Sequence, residues 1–594
     1  MIRQRIENLR REMRLRGIDL YVIPTSDFHD SEYVGDYFKA REYLTGFTGS
    51  AGTAVITMDS AGLWTDGRYF LQAEQQLSGS GVMLYKMGEE GVPTVRQYVE
   101  KTLPAGGTIG FDGRVVSGKL GKCFADIARK KGGKLSVHED LVDLIWADRP
   151  EMSHAPVTIL PMQYAGKSAS EKLSDVRRAM AEKGADVHLM ADLCAIAWLL
   201  NLRGSDIESV PVALSYLALR QESCIFYLQP QAVTPALRAY LDANGVEMRP
   251  YAQFYDDCAA LPANACVLLD PAVVNYRICS SLPETVRRID APDPASRMKA
   301  VKNPVEMANL REAHLKDAVA MCRFLYWLKT SGEAMTERSA AAKLEDFRRE
   351  QAGFLAPSFE TICAYGPHGA IVHYAATEQS DVPIGQGSLL LVDSGGHYLE
   401  GTTDITRTVA MGEVSAEMKR DCTAVCRAML NLMNARFLSG CTGANLDILA
   451  RGPLWDAGLD YKHGTGHGVG YLLNVHEGPN AFRWRIPSDM ADCPPLEEGM
   501  VTTDEPGLYI AGSHGVRTEN ELLCRKGEKN EFGQFLYFEN LTFVPIDLDT
   551  IDPDLMNETE RSRLNAYHAA VYAAVAPGLH AEEAAWLKIC TRAI

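Results

Sequence analysis

Asp393, Asp404, His467, Glu505 and Glu519 lie in the last third of a 594-residue chain. Each sits in a segment that reads as buried and is punctuated by glycine. Asp393 closes the apolar run Leu389-Leu390-Leu391-Val392, and Asp404 stands in Thr402-Thr403-Asp404-Ile405. His467 lies in Gly464-Thr465-Gly466-His467-Gly468-Val469-Gly470. Glu505 follows Val501-Thr502-Thr503-Asp504, and Glu519 follows Gly515-Val516-Arg517-Thr518. Burying four carboxylates without compensating positive charge is very costly. Divalent cations are the simplest compensation, and four carboxylates with one imidazole can hold two of them. The chemistry predicted is two-metal hydrolysis. Singly, each acid reads as a cap or turn residue; it is the set that points to metal.

Oxygen-rich ligation with one imidazole and no thiolate suits Mn²⁺, Co²⁺ or Zn²⁺. Bridging carboxylates hold two such ions about 3.5–4 Å apart and lower the pKa of a shared water, supplying hydroxide near neutral pH to attack a carbonyl. One ion then polarises the carbonyl oxygen or anchors a substrate amine. Asp393 and Asp404 are eleven positions apart. Ser394-Gly395-Gly396 reads as a turn between antiparallel strands that present both acids to one site. His373, in Ile371-Val372-His373-Tyr374, and His476, in Asn474-Val475-His476-Glu477, read in two ways. Each is either a satisfied histidine on an apolar strand or a donor to a developing oxyanion.

Other motifs fail. The glycines from Gly464 to Gly470 fall at every second position, unlike a dinucleotide fingerprint, and no phosphate loop is present. His476-Glu477 lacks the second histidine of a zincin helix, and Ser50 lacks the nucleophile elbow. The net charge of −17 and the absence of a long basic run argue against a nucleic-acid partner. No stretch approaches the ~18 apolar residues of a membrane span; the run Leu189 to Leu202 carries Asp192 and Asn201. Residues 1–17 lack the apolar core of a secretory signal and read as an amphipathic helix. The fourteen cysteines, without a C-x-x-C pair, read as reduced core residues, and the expected location is cytoplasmic.

The elements that must position the site begin with a repeat. Arg10-Arg11-x-Met13-x-x-x-Gly17-x-Asp19 recurs as Arg177-Arg178-x-Met180-x-x-x-Gly184-x-Asp186. Both read as a helix closed by a glycine cap and followed by a strand, Leu20 to Pro24 and Val187 to Met190. Two copies of one α/β unit are predicted. Prolines at 150–161 and at 292 and 294 mark boundaries. A helical pattern runs from Lys302 past Met321, glycine-bounded strands dominate 361–544, and a helical tail begins at Ile546. The expected domains are 1–150, 151–298, 299–545 and 546–594.

Several segments resemble the creatinase/prolidase/methionine-aminopeptidase superfamily. They are Phe47-Thr48-Gly49-Ser50-Ala51-Gly52, Trp64-Thr65-Asp66-Gly67-Arg68-Tyr69, Trp198 to Asp206, Lys302-Asn303-Pro304, His463 to Gly470, Asn474 to Pro479, and Phe538 to Pro545. Within that superfamily the chain is most similar to the X-prolyl aminopeptidase (aminopeptidase P) family in its long, three-domain cytosolic form. The resemblance implies an α/β (α+β) fold: two related creatinase-like α/β domains followed by a pita-bread catalytic domain. It implies a dinuclear site, usually filled by Mn²⁺. Asp393 would serve one ion and His467 with Glu505 the other, with Asp404 and Glu519 bridging. His373 and His476 would contact the scissile carbonyl and the peptide, each good donor contributing roughly 3–4 kcal/mol. Glu505 resembles the family's proton shuttle. Arg68, His467 and Arg517 are expected to contact substrate, although Arg68 also reads as a surface pairing residue. A homodimer built through the N-terminal domain is expected. Tyr471, where a small residue is usual, and the long stretch Phe482 to Leu496 are departures expected to reshape the substrate rim. The implied reaction is release of the N-terminal residue from peptides with proline second. Prolidase (Xaa-Pro dipeptidase) activity, creatinase-like chemistry and a non-catalytic peptide- or protein-binding module are the alternatives.

Overall fold

Ile6, Leu9 and Met13 recur on one face of the helix Ile2–Arg16, and all three are buried. Leu173, Val176 and Met180 do the same for the helix Ala169–Glu182, at a constant offset of 167 positions. Gly17 (φ 63°) closes the first helix in the left-handed conformation that favours glycine, and Gly184 (φ 67°) lies just beyond the second. Each helix is followed by the central strand of a six-stranded sheet. In a computed structural model, which describes residues 1–485 and 493–594, the two sheets have one topology. The first runs Met83–Lys86, Ala61–Thr65, Thr53–Thr57, Leu20–Pro24, Thr108–Gly110, Lys134–Ser136. The second runs Val246–Pro250, Cys224–Leu228, Ser215–Arg220, Val187–Met190, Cys266–Leu269, Arg287–Asp290. Parallel and antiparallel pairings also match position for position. The repeat therefore is two copies of one α/β sheet.

The chain divides into two compact units, Met1–Pro161 with Lys167–Ala295, and Met162–Gly166 with Ser296–Ile594. The first holds both six-stranded sheets. The second opens with the 27-residue helix Pro304–Thr330, started by a reciprocal cap between Asn303 and Glu306. A three-stranded sheet orders Ile362–Tyr365, Ser388–Ser394 and Ile405–Met411. A six-stranded sheet orders Arg436–Leu438, Gly533–Asn540, Asn520–Asn530, Val501–Asp504, Gly466–Gly468 and Glu477–Phe482.

The expectation that strands dominate 361–544 missed two helices, Ala416–Met433 and Gly443–Trp455. The Ser415 hydroxyl, accepting from the Met418 N–H, and the Thr442–Asn445 capping box start them. All fourteen cysteines carry free thiols, and eight are buried. No helix among the described residues is long and apolar enough to cross a membrane.

The C-terminal helices Glu558–Val575 and Ala581–Cys590 complete the core of this unit. Leu564, Tyr567, Val571 and Leu587 pack with Met321, Phe324 and Met429. Buried Arg407 joins this tail to the strands: it donates to the Tyr567 hydroxyl (2.7 Å), the Val544 carbonyl (2.9 Å) and the Glu519 carbonyl (2.6 Å). His568 is fully buried, and its Nε2 accepts from the Ile546 N–H at 3.1 Å. Burial, followed by Arg407 and Arg592, pushes its pKa down to about 4. A pKa below the unfolded value means that the unfolded chain takes the proton first. The stability from neutral His568 is thus present above about pH 6.5 and is lost as pH falls toward 4, about 3 kcal/mol in all. His568→Gln keeps an acceptor that does not titrate. Denaturant unfolding from pH 7 to 4.5 is expected to show a shallower loss in this variant than in the wild type; equal slopes would exclude His568 as the source.

Candidate metal centre

Strands Ser388–Ser394 and Ile405–Met411 are antiparallel, with Asp393 opposite Thr406 and Ser394 opposite Ile405. Asp404 directly precedes the second strand. The link between them is not the tight turn expected at Ser394-Gly395-Gly396. The chain makes a longer excursion in which Gly396–Tyr398 pairs with Gly401–Thr402 and with Phe354–Pro357. Gly395 is required for close approach, because a Cβ there would lie 1.9 Å from the Thr403 carbonyl oxygen.

His467 sits on the strand Gly466–Gly468, beside Val501–Asp504. The alternating glycines keep one face of this strand free of side chains. A Cβ on Gly466 would lie 1.8 Å from the Thr503 carbonyl oxygen, and one on Gly468 would lie 2.2 Å from that of Glu477. Asp504 pairs with Asn520 across the ladder, so Glu505 and Glu519 flank the same end of two neighbouring strands. The two sheets are stitched there. The Glu519 N–H donates to the Thr406 carbonyl (3.1 Å), and the Thr406 hydroxyl donates to Glu519 Oε2 (2.7 Å). The Glu505 N–H donates to the Thr465 carbonyl (2.8 Å).

Asp404, His467 and Glu519 converge: each offers a ligand atom, all within 4.8 Å of one another. His467 Nε2 is 3.4 Å from Asp404 Oδ2 and 3.6 Å from Glu505 Oε1. Its Nδ1 lies 2.8 Å from the Gly468 carbonyl oxygen. A carbonyl only accepts, so Nδ1 carries the hydrogen and the Nε2 lone pair faces the carboxylates, the tautomer that ligation needs. Asp393 joins through its charge, which pushes up both Asp404 and Glu519. Its Oδ1 is buried with no hydrogen-bond partner. Burial, then Asp393 and Glu521, drives Asp404 well above the usual carboxylate range. Burial, then Asp404, Glu505 and Asp393, does the same to Glu519. Burial also raises Glu505, against His467 and Arg517. A cluster whose acids raise one another, with an orphaned oxygen and an imidazole lone pair turned inward, fits divalent cations.

His476 packs edge-on against His467, ring centroids 4.3 Å apart. Neither it nor His373 lies on a strand, contrary to expectation. His373 follows the short helix Gly366–Ala370 in a turn, and His476 lies in the loop before Glu477–Phe482. The neighbouring Val372 carbonyl accepts from Arg517 Nη2 at 3.3 Å.

Arg517 is not where a substrate contact would be. Its guanidinium is 2% exposed and turned inward, toward Asp393 Oδ2 (2.5 Å), the Tyr509 hydroxyl (2.7 Å) and the Thr406 hydroxyl (3.2 Å). It pairs with Asp393 instead. Tyr509, missed in the sequence, links Arg517 to His463 Nε2 at 2.8 Å; nothing in its local pattern marks it. Tyr471 is also not a rim residue. It is buried, and its hydroxyl accepts from Asn309 at 3.0 Å. Of the long stretch Phe482 to Leu496, residues 486–492 lie outside the described residues. Arg68, in the first unit, forms a two-pronged pair with Asp66, both bonds at 2.8 Å.

The comparisons with known proteins cover the whole chain. Residues 308–526 match the model of metallopeptidase family M24, and residues 534–594 match the C-terminal region of that peptidase. Residues 5–141 and 148–306 each match a creatinase/prolidase N-terminal domain. Aminopeptidase P2 of Arabidopsis thaliana is 38% identical, covering 94% of this chain and 84% of that protein. A probable Xaa-Pro aminopeptidase P of Paracoccidioides brasiliensis is 36% identical over 100% and 99%. Among solved structures, the X-prolyl aminopeptidase of Caenorhabditis elegans, a cytosolic enzyme with a di-nuclear active site, superposes with a TM-score of 0.94. It shares 34% identity and covers 100% of both chains. The Xaa-Pro dipeptidase of Bacillus anthracis, at a TM-score of 0.51 and 26% identity, covers only 64% of this chain.

Proposed function

The chain belongs to metallopeptidase family M24, in its aminopeptidase P branch, and on that footing we propose that it releases the N-terminal residue from peptides whose second residue is proline. Two divalent ions, Mn²⁺ by preference, would be held by Asp393, Asp404, His467, Glu505 and Glu519. The reading is carried by the convergence of Asp404, His467 and Glu519 within 4.8 Å. The match to aminopeptidases P over the full length favours it over a prolidase, since the Xaa-Pro dipeptidase of Bacillus anthracis covers 64% of the chain.

An Xaa–Pro amide is tertiary and carries a rigid ring, so the site must act without a hydrogen bond from the amide nitrogen. When bound, the metal pair supplies an activated water and a Lewis acid for the scissile carbonyl. Asp393 would serve one ion and His467 with Glu505 the other, with Asp404 and Glu519 serving both. His373 and His476 direct ring N–H donors at the carbonyl oxygen, where negative charge grows in the transition state. Glu505 takes the proton at its carboxylate and returns it to the departing proline nitrogen. Arg517 holds Asp393 and the His373 turn in place. The protein is proposed to work in the cytoplasm as a homodimer.

Metal quantitation coupled to cleavage of an Xaa-Pro-Xaa peptide tests the reading. About two Mn²⁺ per chain, loss of activity with a chelator and recovery with Mn²⁺ are expected. Cleavage of the Xaa-Pro dipeptide alone would make the protein a prolidase. Absence of bound metal with retained peptide binding would make it a non-catalytic module.

A further inference from the structure

We propose that Glu521, backed by His314, is a positioning residue of the metal centre, holding the Asp404 main chain where the Asp404 carboxylate meets Glu519 and His467. The inference rests on the metal-centre reading above.

Glu521 is fully buried on the strand Asn520–Asn530, two residues beyond Glu519. A buried carboxylate needs a partner, yet Glu521 is not one of the three side chains that converge as ligands. Its own main chain is already engaged. The Glu521 N–H donates to the Thr542 hydroxyl (2.9 Å), and its carbonyl accepts from the Leu541 N–H (2.9 Å). The side chain therefore does something other than finish the sheet.

Glu521 Oε1 accepts from the Asp404 N–H at 2.6 Å. Asp404 lies in the gap between the strands Gly401–Thr402 and Ile405–Met411, where no ladder holds its amide. The Glu521 carboxylate takes the place of the missing strand partner, through a charge-assisted bond that is shorter and stronger than a neutral one. His314, on the helix Pro304–Thr330 and 3% exposed, sets Nε2 3.2 Å from the same oxygen. Its Nδ1 faces the Leu310 carbonyl at 2.8 Å and so carries one hydrogen; burial opposes a second, but the Glu521 charge raises the ring's pKa overall and favours the imidazolium, whose other edge faces the carboxylate. Neither the second oxygen, Oε2, nor His314 Nε2 has a hydrogen-bond partner, so the hydrogen bond of the Glu521 carboxylate goes to the Asp404 amide, with His314 beside it as an ion-pair neighbour. The long helix is thus connected to the metal centre by two side chains and one peptide group.

The test uses the full chain, stripped of metal, with Mn²⁺ alone as the probe. Glu521→Leu removes the acceptor, and Mn²⁺ binding measured by calorimetry is expected to weaken about 10–100-fold, as for other groups that orient metal ligands. A purely structural role would lower the melting temperature of the metal-stripped chain and leave Mn²⁺ affinity alone. A Leu variant that binds two Mn²⁺ as tightly as the wild type therefore overturns the inference. Where the Leu variant does not fold, Glu521→Gln decides, because a neutral acceptor bonds the amide more weakly. Mn²⁺ affinity should then fall several-fold, and hydrogen exchange in the peptide spanning residues 402–406 should quicken. Wild-type values for both overturn the inference. A wild-type chain that takes up no Mn²⁺ overturns the metal-centre reading itself.

Discussion

Replacing Asp404 by asparagine is expected to abolish nearly all turnover while leaving the fold intact. Asp404 is 4% exposed, and its carboxylate lies 3.4 Å from His467 Nε2. The amide is almost the same size, so packing is preserved and its N–H can still donate to Glu521. What disappears is the negative charge that, on the proposed reading, two cations would share. Metal stabilisation of transition-state charge is worth several kcal/mol; at 1.36 kcal/mol per tenfold, a fall in kcat of about 10³ or more follows. Metal content should also drop below two ions per chain. In the metal-stripped protein the same variant should be at least as stable as the wild type. Burial and Asp393 already push the Asp404 acid up, so removing its charge relieves repulsion. Full turnover with two ions bound would count against Asp404 as a ligand.

Arg517→Leu is expected to produce the largest stability loss. The guanidinium is buried against Asp393 and reaches Tyr509, Thr406 and the Val372 carbonyl. Removing one partner of a buried ion pair costs about 3–5 kcal/mol, because the other charge is left uncompensated. The cost should be greatest without metal, when Arg517 is the cation paired with Asp393, and smaller with Mn²⁺ present. Denaturant midpoints with and without Mn²⁺ measure both. Arg517→Lys restores the charge but not the planar fork that serves several acceptors at once. It should recover part of the stability and little of the activity, since the Val372 carbonyl beside His373 loses its donor. Unchanged midpoints in the Leu variant without metal would show that Asp393 needs no guanidinium.

Most of the architecture was legible because it rests on spacing. The core positions Ile6, Leu9 and Met13 recur at Leu173, Val176 and Met180, and helical periodicity makes such a repeat visible without any contact information. The strand holding Asp393 was legible as an apolar run. The helices Ala416–Met433 and Gly443–Trp455 were not read, because glycine-bounded segments on either side dominated the pattern of 361–544. The excursion between Asp393 and Asp404 was misread for a different reason. Gly395 signals a turn locally, yet it serves the approach of Thr403, a contact that exists only once the strands are paired.

The site divides in the same way. By itself the sequence determined the inventory: four acids and an imidazole in apolar, glycine-rich segments, a combination whose burial divalent cations compensate most simply. Only the tertiary structure decided which charged groups face the centre and which stand behind it. Arg517, Glu519 and Glu521 alternate along one short segment, and composition cannot separate them. Cross-strand register turns Glu519 to Asp404 and His467, sends Glu521 to the Asp404 amide and buries Arg517 against Asp393. The physical reason is that residue type sets what a group can bind, while its partner depends on which strand lies alongside, and that pairing joins residues more than a hundred positions apart.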